Sequence, residues 1–298
     1  MRIVRLRSDG GELEAAFVPE AGMVGCSLTH RGDELLGQRK GLEEYARSGS
    51  TFGIPFLHPW ANRLAGFEYA VGGHEVRLDR DSELVRLEEH GLPNHGLRPS
   101  GLQWEVAENG DGSLRATAGL DGARLEAFPY PHKLMVDVAL DDGGLTIETT
   151  VTPTSATPVP IAFGYHPYLT VPGAPRAEWE VDMPVDRRLL LDENMIPTGE
   201  AEMPAFRSGT LGDRSLDDGY ELPEHPRPFT VSGGGRTLGV EFVEGYTYAQ
   251  AYAPAEQDLI CFEPMTAPAN ALVSHEGLRL AAPGEPFHAV FRITVDGG

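Results

Sequence analysis

The sequence contains only two cysteines, Cys26 and Cys261, and no C-x-x-C motif. It therefore offers neither a disulfide framework nor a thiolate metal site. Lysine is equally rare, with Lys40 and Lys133 as its two occurrences, so arginine carries the positive charge. Acidic residues dominate and give a formal net charge of −21. This charge argues against nucleic acid and anionic membranes as partners. It also disfavours phosphorylated substrates unless arginines cluster locally.

Long apolar segments are missing as well. No stretch approaches the length needed to span a membrane. The first seven residues include basic side chains, but they lack the apolar core of a signal peptide. These absences predict a soluble, cytoplasmic protein with no membrane partner.

Several signatures of enzyme chemistry are absent too. The chain has no P-loop, no G-x-G-x-x-G after a strand and no G-x-S-x-G. Nucleotide chemistry and serine hydrolysis therefore have no support. The histidines show no H-x-x-x-H spacing that would build a metal site, so we predict that no metal is bound.

Strand patterns dominate what is present. Apolar runs flank short glycine-rich turns, as in β-hairpins, and further runs continue the series. The predicted strands are Phe67–Val71, His74–Leu78, Leu102–Val106, Leu114–Ala118, Leu134–Leu140, Leu145–Thr152, Thr237–Phe242, Tyr246–Tyr252, Leu259–Glu263 and His288–Val295. The best helical candidate, Gly41–Arg47, is barely two turns long. Many short strands without a linker predict an all-β sandwich or barrel forming a single domain over residues 1–298.

The stretch Leu259–Thr266 joins an apolar run to a carboxylate. In an extended chain Glu263 shares a face with Leu259 and Cys261. An ionised carboxylate is costly there without a partner or a wet cleft. Pro264 cannot donate to a sheet ladder, so we expect the strand to stop at it. Glu263 is thus a candidate general base at the rim of a buried strand, and the alternative is a surface glutamate or a structural ion pair.

A second informative stretch is Phe163–Tyr168, which reads F-G-Y-H-P-Y. Pro167 favours an extended conformation at His166. Gly164 is expected to leave open space on the face that His166 occupies. Aromatic flanks beside a histidine suit a carbohydrate cleft, because sugars present C–H faces to aromatic rings. The alternative is a histidine packed for structural reasons.

Three further stretches carry weaker signals. Ile54–Leu64 places Arg63 beside Asn and Trp, and a guanidinium can donate to several hydroxyl oxygens. Pro93–Gly96 is a turn that carries His95, and Leu216–Tyr220 carries paired acids. Each signal also has a structural interpretation. Arg63 would form an ion pair with an acidic residue, His95 would cap backbone groups, and the paired acids would be solvated turn residues.

Taken in order, these motifs resemble those of the aldose 1-epimerase (galactose mutarotase) family. They are P-W-A-N-R, N-H-G, Y-H-P-Y, L-D-D-G-Y and C-F-E-P-M-T-A-P-A-N-A, and the match extends from about residue 55 to residue 271. The Y-H-P-Y and E-P-M-T-A-P segments are the specific ones. The histidine turn reads N-H-G-L-R-P rather than the L-H-G-G of galactose-directed members, which leaves the sugar preference open.

The resemblance implies an all-β fold, a β-supersandwich with a sugar-binding groove across a large twisted antiparallel sheet. It also implies Glu263 as the catalytic base and His166 as the catalytic acid. Arg63, His95 and Asp217 would hold sugar hydroxyls, and the neighbouring Asp218 leaves it open which acid contacts the sugar.

The implied function is mutarotation, the interconversion of the α and β anomers of a free hexose. A base takes the proton of the C1 hydroxyl while an acid protonates the ring oxygen, so a carboxylate and a histidine suffice without a cofactor. Glu263 must start ionised and His166 protonated. The expected partner is a small sugar, and the protein is expected to be a monomer or homodimer.

Two alternatives remain at the level of sequence. A hexose-6-phosphate mutarotase would need an arginine-lined phosphate pocket, to which Arg98 and Arg124 could contribute. A non-catalytic carbohydrate-binding or sensing protein would use the same groove, but the presence of both Glu263 and His166 weighs against it.

Overall fold

The computed structural model describes residues 1–99 and 102–298, and strands make up most of its regular structure. The strands in chain order are β1 (Val4–Arg7), β2 (Leu13–Val18), β3 (Val24–His30), β4 (Asp33–Glu34), β5 (Phe56–Leu57), β6 (Glu68–Val71), β7 (His74–Arg77), β8 (Val85–Leu87), β9 (Pro93–Leu97), β10 (Glu105–Asn109), β11 (Ser113–Leu120), β12 (His132–Asp141), β13 (Gly144–Pro153), β14 (Val159–Ile161), β15 (Gly164–Tyr165), β16 (Tyr168–Leu169), β17 (Glu180–Asp182), β18 (Arg187–Leu191), β19 (Pro197–Glu202), β20 (Ser208–Thr210), β21 (Leu216–Glu221), β22 (Phe229–Gly233), β23 (Arg236–Glu244), β24 (Tyr248–Ala253), β25 (Ile260–Met265), β26 (Arg279–Ala281) and β27 (Phe287–Gly297).

The helices are short. The first, α1 (Gly41–Ser48), confirms the predicted helix and extends it by one residue. Two further helices, α2 (Arg124–Ala127) and α3 (Ala271–Ser274), are single turns that the sequence patterns did not indicate. No helix within the described residues is both long and apolar enough to cross a membrane.

Two large sheets organise the chain. One has nine strands in the order β10-β11-β12-β13-β27-β23-β22-β17-β20, and the other has eight in the order β19-β18-β21-β24-β25-β15-β5, with β16 also paired to β25. The ladders within both sheets are antiparallel. The prediction of an all-β fold with large antiparallel sheets is therefore confirmed.

The two sheets pack face to face through aromatic side chains. The Phe229 and Phe262 rings meet at 5.6 Å between centroids, and the Tyr165 and Phe291 rings at 4.9 Å. Side chains alternate along a strand, so residues next to Phe262 and Tyr165 point away from this core. Glu263 and His166 are such neighbours, and the packing of the core thereby directs both side chains to the outer face of the eight-stranded sheet.

Local chemistry explains the hairpins that the sequence predicted. Gly72 and Gly73, between β6 and β7, have φ angles of 58° and 85°. A tight type I′ turn needs positive φ at both positions, which glycine provides without strain.

The predicted strand Leu102–Val106 was only partly right, because β10 begins at Glu105 and runs on to Asn109.

The expectation that Pro264 ends its strand was wrong. β25 continues to Met265, and Pro264 lies opposite Ala249 of β24. On its other side β25 pairs with β15 and β16 only through Met265, Cys261 and Ile260. The ladder thus has a gap beside Pro264, where a residue without an N–H fits.

Candidate active site

A cavity of about 290 Å³ opens on the outer face of the eight-stranded sheet. All five site residues predicted from the sequence line this cavity, namely Glu263, His166, Arg63, His95 and Asp217. They come from β25, the segment between β15 and β16, a loop after β5, β9 and β21. The fold therefore brings together residues that are distant in the chain.

Glu263 and His166 form the buried centre of the cavity. Their side chains are 2% and 6% exposed, and Glu263 Oε1 lies 3.0 Å from His166 Nε2. Glu263 Oε2 has no hydrogen-bond partner among the described residues, and neither has Oδ1 of the cavity residue Asn94. Buried polar atoms are rarely left unpaired in folded proteins. These atoms are thus available to a polar ligand.

Burial acts in opposite directions on the two groups. It raises the pKa of Glu263 well above its ordinary value, and the nearby charge of Asp217 adds to this effect while Arg63 opposes it. Burial also lowers the pKa of His166 well below its ordinary value, helped by the charges of Arg39 and Arg86.

These shifts make Glu263 a stronger base and His166 a stronger acid than the free side chains. At 3.0 Å the two groups titrate as a coupled pair. The ionised pair, with the proton on His166, is the form that can open a hemiacetal ring. Transfer of one proton through the substrate converts it to the neutral pair, which burial favours.

Aromatic contacts fix the orientation of His166. Its ring stacks on Tyr168 with centroids 4.3 Å apart and planes within 8°, and Tyr252 meets its edge. The Tyr168 hydroxyl lies 3.3 Å from His166 Nε2. The backbone N–H of His166 donates to the Pro55 carbonyl. The imidazole is thus positioned before any ligand binds.

The expectation of open space at Gly164 was wrong. A Cβ atom at this position would lie 2.6 Å from the Pro264 carbonyl oxygen and 3.0 Å from the Ala61 Cβ. Glycine is needed here because β15 approaches β25 closely, next to both central residues.

Arg63 is held between two carboxylates. Its Nε lies 3.6 Å from Glu88 Oε2 and its Nη2 lies 3.9 Å from Asp217 Oδ2. Glu88 is itself fixed, since its Oε1 accepts the backbone N–H groups of His90 and Leu92. The guanidinium therefore keeps its place at the cavity wall without a short direct hydrogen bond to either acid.

The structure separates the two neighbouring aspartates. Asp217 lines the cavity and accepts a 2.6 Å hydrogen bond from Gln250 Nε2. Asp218 points elsewhere and pairs with Arg188 at 2.8 Å. Asp217 is thus the acid of the pair that a ligand in the cavity can reach. Burial raises its pKa, although Arg63 and Gln250 act against that rise.

His95 presents one ring nitrogen to the site and uses the other for structure. Its Nδ1 accepts the Asn62 backbone N–H at 3.2 Å, so the neutral ring carries its proton on Nε2. Burial and the charges of Arg86, His166 and Arg63 lower its pKa, which favours this neutral form.

The prediction of a turn at Pro93–Gly96 was wrong, because these residues belong to strand β9, whose backbone at His95 depends on glycine. Gly96 has a φ angle of 72°, and a Cβ at this position would lie 2.3 Å from the His58 carbonyl oxygen. The N-H-G motif thus reflects a close approach of two backbones at the cavity wall.

Other residues of the cavity carry no local sequence signal. Arg39, Thr51, Arg86 and Glu88 line it, but none belongs to a recognised motif. Only the three-dimensional pairing of distant segments reveals them.

Three residues considered from the sequence lie outside the lining of this cavity. His58 Nε2 lies 3.0 Å from His132 Nε2 in a buried histidine pair. Arg98 and Arg124, which were considered as contributors to a phosphate pocket, do not line this cavity, and Arg124 donates to the Arg98 backbone carbonyl. The arginines that reach the cavity are Arg39, Arg63 and Arg86.

One group of possible metal ligands occurs among the described residues. Potential ligand atoms of Glu88, Glu89 and His90 lie within 4.8 Å of one another. Glu88 already accepts two backbone N–H groups and faces Arg63. Backbone donors thus occupy Oε1 of this carboxylate, and the Arg63 cation faces its Oε2 at 3.6 Å, so a metal ion here would have to compete with both.

Comparison with known proteins identifies the family. A sequence model of the aldose 1-epimerase family matches residues 11–294. The uncharacterized protein YihR of Escherichia coli strain K12 is 24% identical over 247 residues, covering 80% of this chain and 77% of YihR. Homo sapiens galactose mutarotase is 30% identical over 222 residues, covering 70% of this chain and 60% of the human protein. The chain thus matches less than two thirds of the length of that enzyme.

The fold is shared with solved structures. A galactose mutarotase-like protein from Clostridium acetobutylicum superposes with a TM-score of 0.85 at 17% identity, covering 99% of this chain and 95% of that chain. This confirms the β-supersandwich predicted from the sequence. Since the family model covers almost the whole chain, the protein belongs to the aldose 1-epimerase family.

Proposed function

We propose that the protein is a mutarotase that interconverts the α and β anomers of a hexose. The observation that carries this proposal is the contact of 3.0 Å between Glu263 and His166 at the centre of a polar cavity. A carboxylate with a raised pKa and an imidazole with a lowered pKa supply the base and the acid that ring opening requires.

The proposed reaction moves two protons. Glu263 takes the proton of the C1 hydroxyl while His166 donates its proton to the ring oxygen, and the bond between C1 and that oxygen breaks. The aldehyde then rotates about the C1–C2 bond. Ring closure on the other face returns the ring-oxygen proton to His166 and the Glu263 proton to the C1 oxygen, so the pair ends as it began.

The surrounding residues serve orientation in this proposal. Arg63 and the Nε2–H of His95 donate to sugar oxygens, while Asp217 accepts from a hydroxyl. Holding the ring in one pose converts binding free energy into rate. Arg63, Asp217 and His95 suit this role because Glu88, Gln250 and the Asn62 backbone N–H, respectively, hold them in place.

Polarimetry tests the function directly. Freshly dissolved α-D-glucose and α-D-galactose should reach anomeric equilibrium faster with the protein than without it. A sugar-binding protein without catalytic activity would bind these sugars, as measured by calorimetry, but would leave the polarimetric rate at its spontaneous value. That result would overturn the proposal.

Replacement of Arg63 by alanine should mainly weaken binding. A hydroxyl donor acts on ground and transition states alike, so KM should rise about 10–100-fold, the scale of a hydrogen bond to a charged group, while kcat falls less. Because Arg63 opposes the rise in the Glu263 pKa, the acid limb of the pH profile should also move to higher pH. Steady-state kinetics across pH measure both effects.

Arg188→Ala is the matched control for Arg63→Ala, because Arg188 lies on the same sheet but pairs with Asp218 outside the cavity. It should leave KM and the acid limb unchanged. A normal KM with a collapsed kcat in Arg63→Ala would show that Arg63 acts on the chemistry instead.

Removal of metal ions should not affect the rate. The proposed proton transfers use Glu263 and His166, and the Glu88 carboxylate is committed to Arg63 and backbone donors. Exhaustive chelation followed by polarimetry should give the untreated rate. Loss of activity that a divalent ion restores would contradict this expectation.

A further inference from the structure

Two arginines of the cavity have no acidic partner. Arg39 Nη1 donates to the Tyr168 hydroxyl at 2.9 Å and to Thr51 at 3.2 Å. Arg86 Nη1 donates to the Gly49 carbonyl at 2.9 Å. Neither guanidinium forms an ion pair within residues 1–99 and 102–298, although acidic residues outnumber basic ones by 45 to 24. Two unpaired cations in one cavity of so acidic a chain point to a ligand that carries negative charge.

These cations lie at the His166 end of the cavity. Their charges act on His166, whereas Asp217 and Arg63 are the charges that act on Glu263. Arg39 is also linked to His166 through the Tyr168 hydroxyl and ring. The cavity is therefore polarised, with Arg39 and Arg86 at one end of the central pair.

The proposed reaction fixes which part of a sugar meets that end. Glu263 faces the C1 hydroxyl and His166 faces the ring oxygen. The ring atom beyond that oxygen is C5, which carries C6. The group on C6 therefore extends past His166, away from Glu263 and toward the two arginines.

We propose that the substrate is a hexose with an anionic group on C6, held by Arg39 and Arg86. Carboxylate, phosphate and sulfonate share the chemistry that a guanidinium recognises, which is a charged group with several acceptor oxygens. This inference rests on the proposed mutarotase function and specifies its substrate class. The net charge of −21 slows the approach of an anion but is screened beyond about 8 Å at physiological ionic strength.

A bound anion would also support the acid. Arg39 and Arg86 disfavour the protonated form of His166, and a negative charge between them offsets that effect. His166 should thus stay protonated to higher pH in the complex with an anionic sugar than in the complex with a neutral one. The basic limb of the kcat profile should lie at higher pH for the anionic sugar.

The test compares kcat/KM for D-glucose with that for D-glucuronate, D-glucose 6-phosphate and 6-deoxy-6-sulfo-D-glucose. Polarimetry or exchange NMR gives the rates after subtraction of the spontaneous reaction. We expect at least one anionic sugar to exceed glucose by about 10–100-fold, the scale of a hydrogen bond to a charged group. The ranking among the three distinguishes the carboxylate, phosphate and sulfonate sources.

Arg39→Gln and Arg86→Gln should each lower the ratio of anionic to neutral kcat/KM by about 10-fold or more. This ratio separates recognition of the anion from damage to the fold, which would lower both rates together. Arg227→Gln is the matched control, since Arg227 is exposed and outside the cavity, and it should leave the ratio unchanged.

Two results would overturn the inference while leaving the mutarotase function intact. One is a wild-type preference for glucose over all three anionic sugars. The other is an equal loss of both rates in folded Arg39→Gln and Arg86→Gln proteins. No acceleration with any sugar, neutral or anionic, would instead overturn the mutarotase function, and the inference with it.

Discussion

Glu263→Gln is expected to lower kcat for mutarotation by about 10²–10⁴-fold, the range attributed to one general acid or base. The amide keeps the shape and most of the polarity of the carboxylate but cannot take the C1 hydroxyl proton. The position is almost fully buried, so solvent water cannot easily replace the missing base. Initial polarimetric rates of wild-type and variant protein measure the loss.

The fold should survive this replacement. Burial raises the pKa of Glu263, which means that the ionised carboxylate costs stability in the folded state above its ordinary pKa. A neutral amide carries no such cost, so the melting temperature should stay within about 2 °C, which corresponds to roughly 1 kcal/mol for a chain of this length. Asp218→Asn removes a carboxylate that is outside the cavity and should leave kcat unchanged. A folded Glu263→Gln protein with a near wild-type rate would remove the base assignment.

The strands that the sequence predicted are those with local evidence. The hairpins around Gly72 and around Asp141–Gly144 combine apolar runs with turn residues that tolerate positive φ. Strands β1 to β4 also pair with their neighbours in the chain, through turns with positive φ at Gly11 and Gly32, but they were not predicted. The two-residue strand β5 pairs with the distant β15, which a local pattern cannot indicate. Pro264 shows the same limit, because a gap in the neighbouring ladder decides whether a strand admits proline.

The candidate site likewise contains residues that the local sequence identifies and residues that it does not. Glu263 and His166 stand out in the sequence because a carboxylate ends an apolar run and a histidine lies among aromatics before proline. The fold brings them to 3.0 Å. Arg39 and Arg86 could not be identified, because an arginine on an acidic chain normally has an acidic partner. Their lack of one is a property of the folded cavity.

His166→Asn should cause the second large loss, again about 10²–10⁴-fold in kcat. Asparagine retains polarity but cannot protonate the ring oxygen. His225→Asn, a change at an exposed histidine, is the control and should leave kcat unchanged. In the Glu263→Gln/His166→Asn double variant the loss should be much smaller than the product of the single losses, because the two groups act in one proton-transfer event.

The pH profile identifies the role of each residue. Wild-type kcat/KM should be bell-shaped: the acid limb marks uptake of a second proton by the Glu263–His166 pair, and the basic limb marks loss of its single proton. Residual activity of His166→Asn should lack the basic limb. It should rise only as pH passes the Glu263 pKa, which burial holds above its ordinary value, and then stay level. Glu263→Gln should lack the acid limb instead. A His166→Asn profile that keeps the wild-type basic limb would show that another group protonates the ring oxygen.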